Sequence, residues 1–502
     1  MPVYLRMDGD WDFIVIGSGM GGLTTASLLA KSGHRVLVLE KGNSPGGCAS
    51  SFFRKGYLFE TGATTLVGLE PNYPLDRLQN MLGIQFPLLT LETPMQVHMY
   101  GNRITRFEKK TEWIKEVIKH FGNKTKQKLF WNLCFFISEA MWDLTSRYRL
   151  FPFLSWKDVV ISLPKFRTKD LLVLLFNLIP ILRVLKFFRL NGNEKFIRFL
   201  DEQLLITNQT SVQNAPFVSA AAGLVYPNLK NYYVMGGMLA LANSLVSVLE
   251  SYGGKILYKQ EVTQFEKKFG VWNVKTKHRE FSQFKGTNII SNVPIWNLVD
   301  LNPNLHKLKK QASQREVGIW GAFTMGIVLK SKTLGNETCL HHQIHTKHPL
   351  PYGGGNSIFV SLSHPDDPVR SPNAIRILSI STHIKNPEGW KRDAVYQNRK
   401  KELENSIIKE LSNHLDWFRE EDILELHSAT PVTWFTWTGR KFGRVGGIPS
   451  FYFFNPFRYL GAESELENLY LTGDTVFPGQ GIPAVVLGGI SLYHRLSKRK
   501  RG

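Results

Sequence analysis

Residues Gly17-Ser18-Gly19-Met20-Gly21-Gly22 form a turn with the spacing Gly-x-Gly-x-x-Gly. Backbone that is bare at these places suits a pyrophosphate. Gly17 permits the tight turn, Gly19 lets the chain approach the phosphates, and Gly22 lets a following helix pack closely on the preceding strand. Glu40 stands eighteen residues beyond Gly22, where an acid accepts hydrogen bonds from ribose hydroxyls. Ser18 inside the turn and Lys41 beside the acid complete a candidate dinucleotide site. The chemistry on offer is binding of a diphosphate and a ribose, with the reactive ring carried by the ligand.

These residues act together only if particular elements hold them. Asp12-Phe13-Ile14-Val15-Ile16 reads as a buried strand, Leu23 to Lys31 as a helix, and Ser32-Gly33-His34 as its stop. Arg35 to Glu40 reads as a second buried strand ending on the acid. The result is a βαβ unit whose helix N-terminus offers free N–H groups to a phosphate. Further on, residues 70–227 read as basic and aromatic helical stretches. A helix is expected from Met238 to about Ser251, one strand from Lys255 to Val262 and another over Thr287–Ser291. Several strands follow between about 320 and 385, then a helix from Val395 to about Leu415. Leu469 to Thr472 reads as a last strand before a glycine-rich turn and a terminal helix.

A second set of residues narrows the ligand. Gly46-Gly47 lies six residues past the acid. Thr472-Gly473-Asp474 ends the last strand, placing a carboxylate for ribityl hydroxyls, and Gly479-Gln480-Gly481-Ile482-Pro483 opens the terminal helix, whose positive end suits a flavin pyrimidine. The pairing resembles the two-part FAD signature of the flavin amine oxidase and phytoene desaturase superfamily. Pro45-Gly46-Gly47-Cys48-Ala49-Ser50-Ser51-Phe52 and Gly56-Tyr57-x-Phe59-Glu60-x-Gly62-Ala63-Thr64 resemble the N-terminal block of bacterial carotenoid desaturases, with Glu60 where Asp is more usual. Gly473-Asp474-Thr475-x-Phe477-Pro478-Gly479-Gln480-Gly481 resembles the C-terminal block of carotenoid isomerases. The middle segment running from Lys195-Phe196-Ile197-Arg198 to Gly236-Gly237-Met238, and a further block with Thr430-Pro431-x-Thr433, Arg440 and Gly443, extend the likeness through the chain.

The resemblance implies an α/β fold: an FAD-binding Rossmann-type (doubly wound) domain with an inserted α+β substrate domain. Residues 1–70, 228–300 and 460–502 would build the discontinuous FAD domain, and 71–227 with 301–459 the substrate and membrane-contacting domain. FAD would be held by Gly17, Ser18, Gly19, Gly22, Glu40, Lys41, Gly46, Gly47, Gly473, Asp474, Gly481 and Ile482. The same alignment puts the backbone of Val262 against the adenine, although a strand-end core valine reads equally well. The substrate would be a long hydrophobic polyene of the carotenoid class. It would be desaturated by hydride transfer to the flavin, or isomerised from cis to trans without net redox. A retinol-saturase-like reductase, or another flavoenzyme of the superfamily, is the alternative. Glu60 is the nearest acid or base to propose, its other reading being a turn-ordering residue.

Composition bounds the rest. The chain has 502 residues, 43% hydrophobic and 21% charged, which excludes disordered, collagen-like and coiled-coil classes. The formal charge of +21 points to an anionic partner: nucleic acid, an anionic membrane surface or an acidic ligand. No helix-turn-helix or RNP signature accompanies it, so nucleic acid is set aside. Only one dinucleotide fingerprint is present, and Gly353-Gly354-Gly355 reads as a loop. Cys48, Cys134 and Cys339 are far apart, so neither a disulfide framework nor a zinc site is expected. The pair His341-His342 diverges on a strand, and no metal site is assigned. Leu171 to Leu182 is the most apolar stretch, too short to span a bilayer. Arg183, Lys186 and Arg189 follow on one helical face. The segment reads either as an insertion into one leaflet or as an ordinary core-covering helix. Trp434, Phe435, Trp437, Phe451–Phe454, Phe457 and Tyr459 line an apolar tunnel or pack a core. With no secretory leader in the N-terminal residues, the expectation is a peripheral, monotopic protein on the cytoplasmic face of a membrane. The oligomeric state stays open.

Overall fold

The computed structural model describes residues 11–148, 156–278, 283–330, 334, 337–451 and 460–499. Trp11–Ile16 pairs in parallel with Val36–Leu39 on one side and Gln283–Ser291 on the other. Lys255–Leu257 extends the sheet beyond Val36–Leu39, and Leu469–Leu471 runs parallel to the end of Gln283–Ser291. The antiparallel hairpin Val262–Lys268 and Val271–Thr276 completes seven strands. Side chains alternate between faces along a strand. Phe13, Val15, Val36 and Val38 therefore pack under the helices Met20–Lys31, Met238–Ser251 and Ile482–Arg499. Ile14, Ile16, Leu37 and Leu39 pack on Trp272, Trp296 and Leu298. With both faces covered, the strands are continuous apolar runs.

The strand expected from Lys255 to Val262 ends at Leu257, and a second strand begins at Val262. Lys259 takes a left-handed conformation (φ 58°), and the Gln260 N–H turns to the Glu40 carbonyl at 2.8 Å. That bond takes this stretch out of ladder pairing.

A second seven-stranded sheet has the order Ile423–Ala429, Trp320–Lys330, Ile375–Lys385, Ser357–Leu362, His341–His345, Met95–Met99 and Asn102–Arg106. All neighbours are antiparallel except His341–His345 with Met95–Met99. The expectation of helix throughout 70–227 fails at this hairpin. Val97, Met99, Ile104 and Arg106 are buried, in register with a two-residue alternation, and Tyr100-Gly101 turns the chain with positive φ at both residues.

Beyond the hairpin the chain is helical. Lys110–Phe121, Lys124–Arg147, Glu194–Asn208 and Phe217–Val225 meet around Trp113, Phe130, Trp131, Phe196, Phe199 and Phe217, all fully buried. The apolar stretch is not one helix. Thr168–Phe176 ends before Pro180, and Ile181–Phe187 restarts after it, because proline has no N–H to continue the ladder. Arg183 and Lys186 share the second helix, whereas Arg189 lies beyond it with φ 51°. Among the described residues no helix is long and apolar enough to cross a membrane.

Candidate functional site

A cavity of about 1170 Å³ opens at the carboxyl ends of the first sheet and continues to the face of the second. Gly17, Ser18, Gly19, Glu40, Lys41, Gly46, Gly47, Val262, Gly473, Asp474, Gly481 and Ile482 all line it. Gly22 does not. A Cβ there would lie 2.7 Å from the Gly17 carbonyl oxygen, so its bareness serves helix-on-strand packing.

The acid is held by its own loop. Glu40 Oε2 accepts from the Ser18 N–H at 2.8 Å and the Ser18 hydroxyl at 2.6 Å, and Oε1 accepts from the Gly42 N–H at 2.7 Å. A carboxylate has about four lone-pair sites, so one stays for a ribose hydroxyl. Gly46 (φ 102°) donates its N–H to the Ser18 carbonyl at 2.8 Å, which stitches the second glycine pair to the first turn. Lys41 pairs with Glu261 at 2.9 Å beside Val262. At the other end Asp474 faces Arg440 at 2.8 Å, while Arg440 Nε donates to the Arg444 carbonyl at 2.6 Å. Arg440 thus brings a buried cation to the end of the site expected to meet the ribityl chain. Burial also pushes the nearby Cys48 thiol up, with Arg440 opposing.

Glu60 lines the cavity yet is committed to the fold. It pairs with Arg370 at 3.0 Å, accepts from the Ser51 hydroxyl at 2.6 Å, and accepts the Met238 N–H that opens the helix Met238–Ser251. Of its two readings, turn-ordering fits this geometry.

A polar chain that sequence spacing gave no sign of ends at Thr64. His341 Nδ1 lies 2.9 Å from the Ser361 hydroxyl, which donates to Thr64 Oγ1 at 2.7 Å. Since Ser361 donates forward, His341 must donate to it, which fixes the Nδ1–H tautomer. The Thr64 hydroxyl, on the cavity wall, keeps its own proton for an acceptor there. His341 and His342 point to opposite faces of their strand, the one toward Ser361 and the other toward His98 at 3.1 Å.

Burial holds His341, His342 and His345 near about 3 and His98 near about 4. These imidazoles are neutral when folded and protonate when unfolded near the ordinary value of 6.5. The unfolded state then binds more protons, so stability falls as pH drops from about 6.5 toward 3. Urea midpoints at pH 7.5, 6 and 5 are expected to decline steeply below 6.5. His341→Gln should flatten that decline. A midpoint independent of pH in this window would contradict the buried-neutral assignment.

The opposite wall is apolar. Val173, Leu174 and Asn177 line the cavity, while Leu171 (51% exposed) and Leu175 (53%) of the same segment face outward. Of the aromatic candidates, Trp434 is buried on the wall with its ring over Gly62, Trp437 lies at an exposed rim, and Phe451 lines the cavity. Phe435 is half exposed and does not line it. Tyr452, Phe453, Phe454, Phe457 and Tyr459 lie outside the described residues.

The family model described as NAD(P)-binding Rossmann-like domain matches residues 15–82. Over 97% of its length the chain is 28% identical to prolycopene isomerase 2, chloroplastic, of an Oncidium hybrid cultivar, covering 84% of that protein. It is 24% identical over 98% of its length to all-trans-retinol 13,14-reductase of Danio rerio, covering 87% of it. Among solved structures, an oxidoreductase from Methanosarcina mazei superposes with a TM-score of 0.61 at 17% identity, over 96% of this chain and 99% of that one. The doubly wound α/β fold, the glycine-rich turn with its acid and the near full-length likeness to prolycopene isomerases agree: over nearly its whole length this chain is similar to the carotenoid desaturase and carotenoid isomerase family.

Proposed function

We propose that the protein is an FAD-dependent enzyme of carotenoid biosynthesis acting on a long polyene, and that it isomerises cis double bonds or desaturates the chain. The observation that carries this reading is one continuous cavity. Its lining takes in the glycine turns, apart from Gly22, with Glu40 and Asp474 at one end, and an apolar wall, reaching an exposed apolar helix, at the other. FAD, when bound, supplies the electron-pair chemistry that no side chain here can perform on an unactivated polyene. Gly17, Ser18, Gly19, Gly46 and Gly47 would hold the diphosphate, Glu40 the ribose, Asp474 the ribityl hydroxyls, and Val262 the adenine. Arg440 pairs with Asp474 and orients it, and Thr64 presents one directed hydroxyl to the reacting centre. The cofactor would sit on 1–70, 228–300 and 460–502, and the polyene against 71–227 and 301–459. The first sheet draws its strands from the former segments and the second from the latter, which supports the division.

The substrate would arrive from a membrane. Leu163, Phe166, Leu171, Leu172, Leu175 and Leu178 are exposed together with Lys165 and Arg167, and Lys169 is half-buried beside them. An apolar face with a basic rim suits one leaflet of an anionic bilayer. Leu171→Asp with Leu175→Asp is expected to release the protein from anionic liposomes on flotation while soluble FAD binding persists. Unchanged flotation would remove the membrane from the reading.

The function is tested with purified protein, FAD and a panel of linear carotenoids in liposomes. Unchanged mass with an altered cis/trans pattern establishes an isomerase, and loss of two mass units a desaturase. Gain of two mass units with retinol favours the reductase, which the likeness to the Danio rerio protein keeps in view. No turnover of any of these by FAD-loaded protein would overturn the proposal.

A further inference from the structure

Asn292 belongs to none of the glycine-rich motifs, yet it packs against both the first glycine turn and Gly473. It follows the strand Gln283–Ser291, and its backbone N–H donates to the Ile16 carbonyl at 2.9 Å. This anchors its carboxamide between the first turn and Gly473. A Cβ on Gly22 would lie 2.9 Å from Asn292 Cβ, and one on Gly473 would lie 3.0 Å from Oδ1. At Gly19 the Cβ would lie 2.5 Å from Nδ2. The bare backbone of Gly19 therefore makes room for this amide as well as for a ligand.

The hydrogen bonding fixes the amide's orientation. The Gly22 N–H donates to Oδ1 at 3.0 Å. A backbone N–H can only donate, so the bonded atom is the oxygen and the other is the amino group. Nδ2 has no hydrogen-bond partner among the described residues and is not sealed from the cavity that Asn292 lines. An unused donor thus stands against the glycine whose backbone meets the phosphates.

We propose that Asn292 is a dinucleotide ligand: Nδ2 donates to the diphosphate, while Oδ1 clamps the Gly22 amide and so holds the turn. The inference rests on the FAD reading above. Hydrogen bonds to an ionised acceptor are roughly twice as strong as neutral ones. The contact also joins the turn after the first strand to the strand end that carries Gly473. Diphosphate binding thereby draws the two ends of the cofactor site together.

Asn292→Asp separates the two roles. The variant keeps an oxygen for the Gly22 N–H but sets a negative oxygen against the phosphates in place of the donor. Affinity of the full chain for FAD and for ADP, read by fluorescence or calorimetry, is expected to fall on the order of 100-fold, about 2.7 kcal/mol. The urea midpoint without ligand should stay near that of the wild type. Asn292→Ala removes the amide donor without adding charge and should weaken both ligands by about tenfold, about 1.4 kcal/mol. It carries the test if Asn292→Asp does not fold. Wild-type affinity in either folded variant would make Asn292 a turn clamp only and overturn the proposal. A wild-type protein that binds neither FAD nor ADP would overturn the dinucleotide reading itself, a different result from the first.

Discussion

Glu60→Ala is expected to cost about 3–5 kcal/mol of folding stability, the usual consequence of removing one partner of a buried ion pair. Glu60 and Arg370 have side chains 3% and 4% exposed. Burial pushes the Glu60 carboxyl up and the Arg370 guanidinium opposes it. Without Glu60, Arg370 keeps its charge in a site closed to water. Asp367 is nearby but already accepts from the Tyr233 hydroxyl at 2.7 Å and the Gly236 N–H at 3.0 Å, so it is a weak replacement. The substitution also strips the Met238 N–H of its acceptor at a helix start, which adds about 1 kcal/mol. Urea unfolding of Glu60→Ala and Glu60→Gln checks this, with the smaller loss in Glu60→Gln because its amide oxygen still accepts. Thr64→Val should behave differently: a lower turnover, because it removes a cavity-facing hydroxyl, with a stability loss of about 1–3 kcal/mol, because the buried Ser361 hydroxyl loses its acceptor. If Glu60→Gln unfolded like wild type and lost all turnover, Glu60 would return as the catalytic acid.

Gly22→Val should abolish useful dinucleotide binding, with at least about a 100-fold loss of affinity. The first added carbon would meet the Gly17 carbonyl oxygen at 2.7 Å, which is backbone and cannot swing aside. The helix Met20–Lys31 must then lift off the strand Trp11–Ile16, carrying the N–H groups at its start away from the phosphates. Overpacking of this kind costs about 1–3 kcal/mol in stability besides. Equilibrium dialysis against FAD and a urea titration read the two losses separately. Full flavin retention through purification would show that the turn tolerates the shift and that the cradle is held from elsewhere.

The first strand–helix–strand was legible because every part of it is local. The run Phe13–Ile16, the spacing of Gly17, Gly19 and Gly22 and the acid at Glu40 fall within thirty residues, and local sterics dictate their conformation. The helix Met238–Ser251 and the strands Ser357–Leu362 and Ile375–Lys385 were legible for the same reason: their periodicity is their own. The hairpin Met95–Arg106 was missed because it sits in a basic, aromatic region that reads as helix. Its strand state comes from pairing with His341–His345, more than two hundred residues away.

The sequence by itself determined the glycine turn of Gly17, Gly19 and Gly22 between a buried strand and a helix, and the acid at the end of the next strand, since turn geometry and strand burial are short-range. Only the tertiary structure decided what completes that cradle. The Arg440–Asp474 pair, the clamp of Gly22 by Asn292 and the line from His341 through Ser361 to Thr64 join positions up to 297 residues apart. A hydrogen bond or ion pair acts over about 3 Å in space, whatever the separation along the chain. Such groups leave no spacing in the sequence, and they become a site only when two sheets and their connections have folded around one cavity.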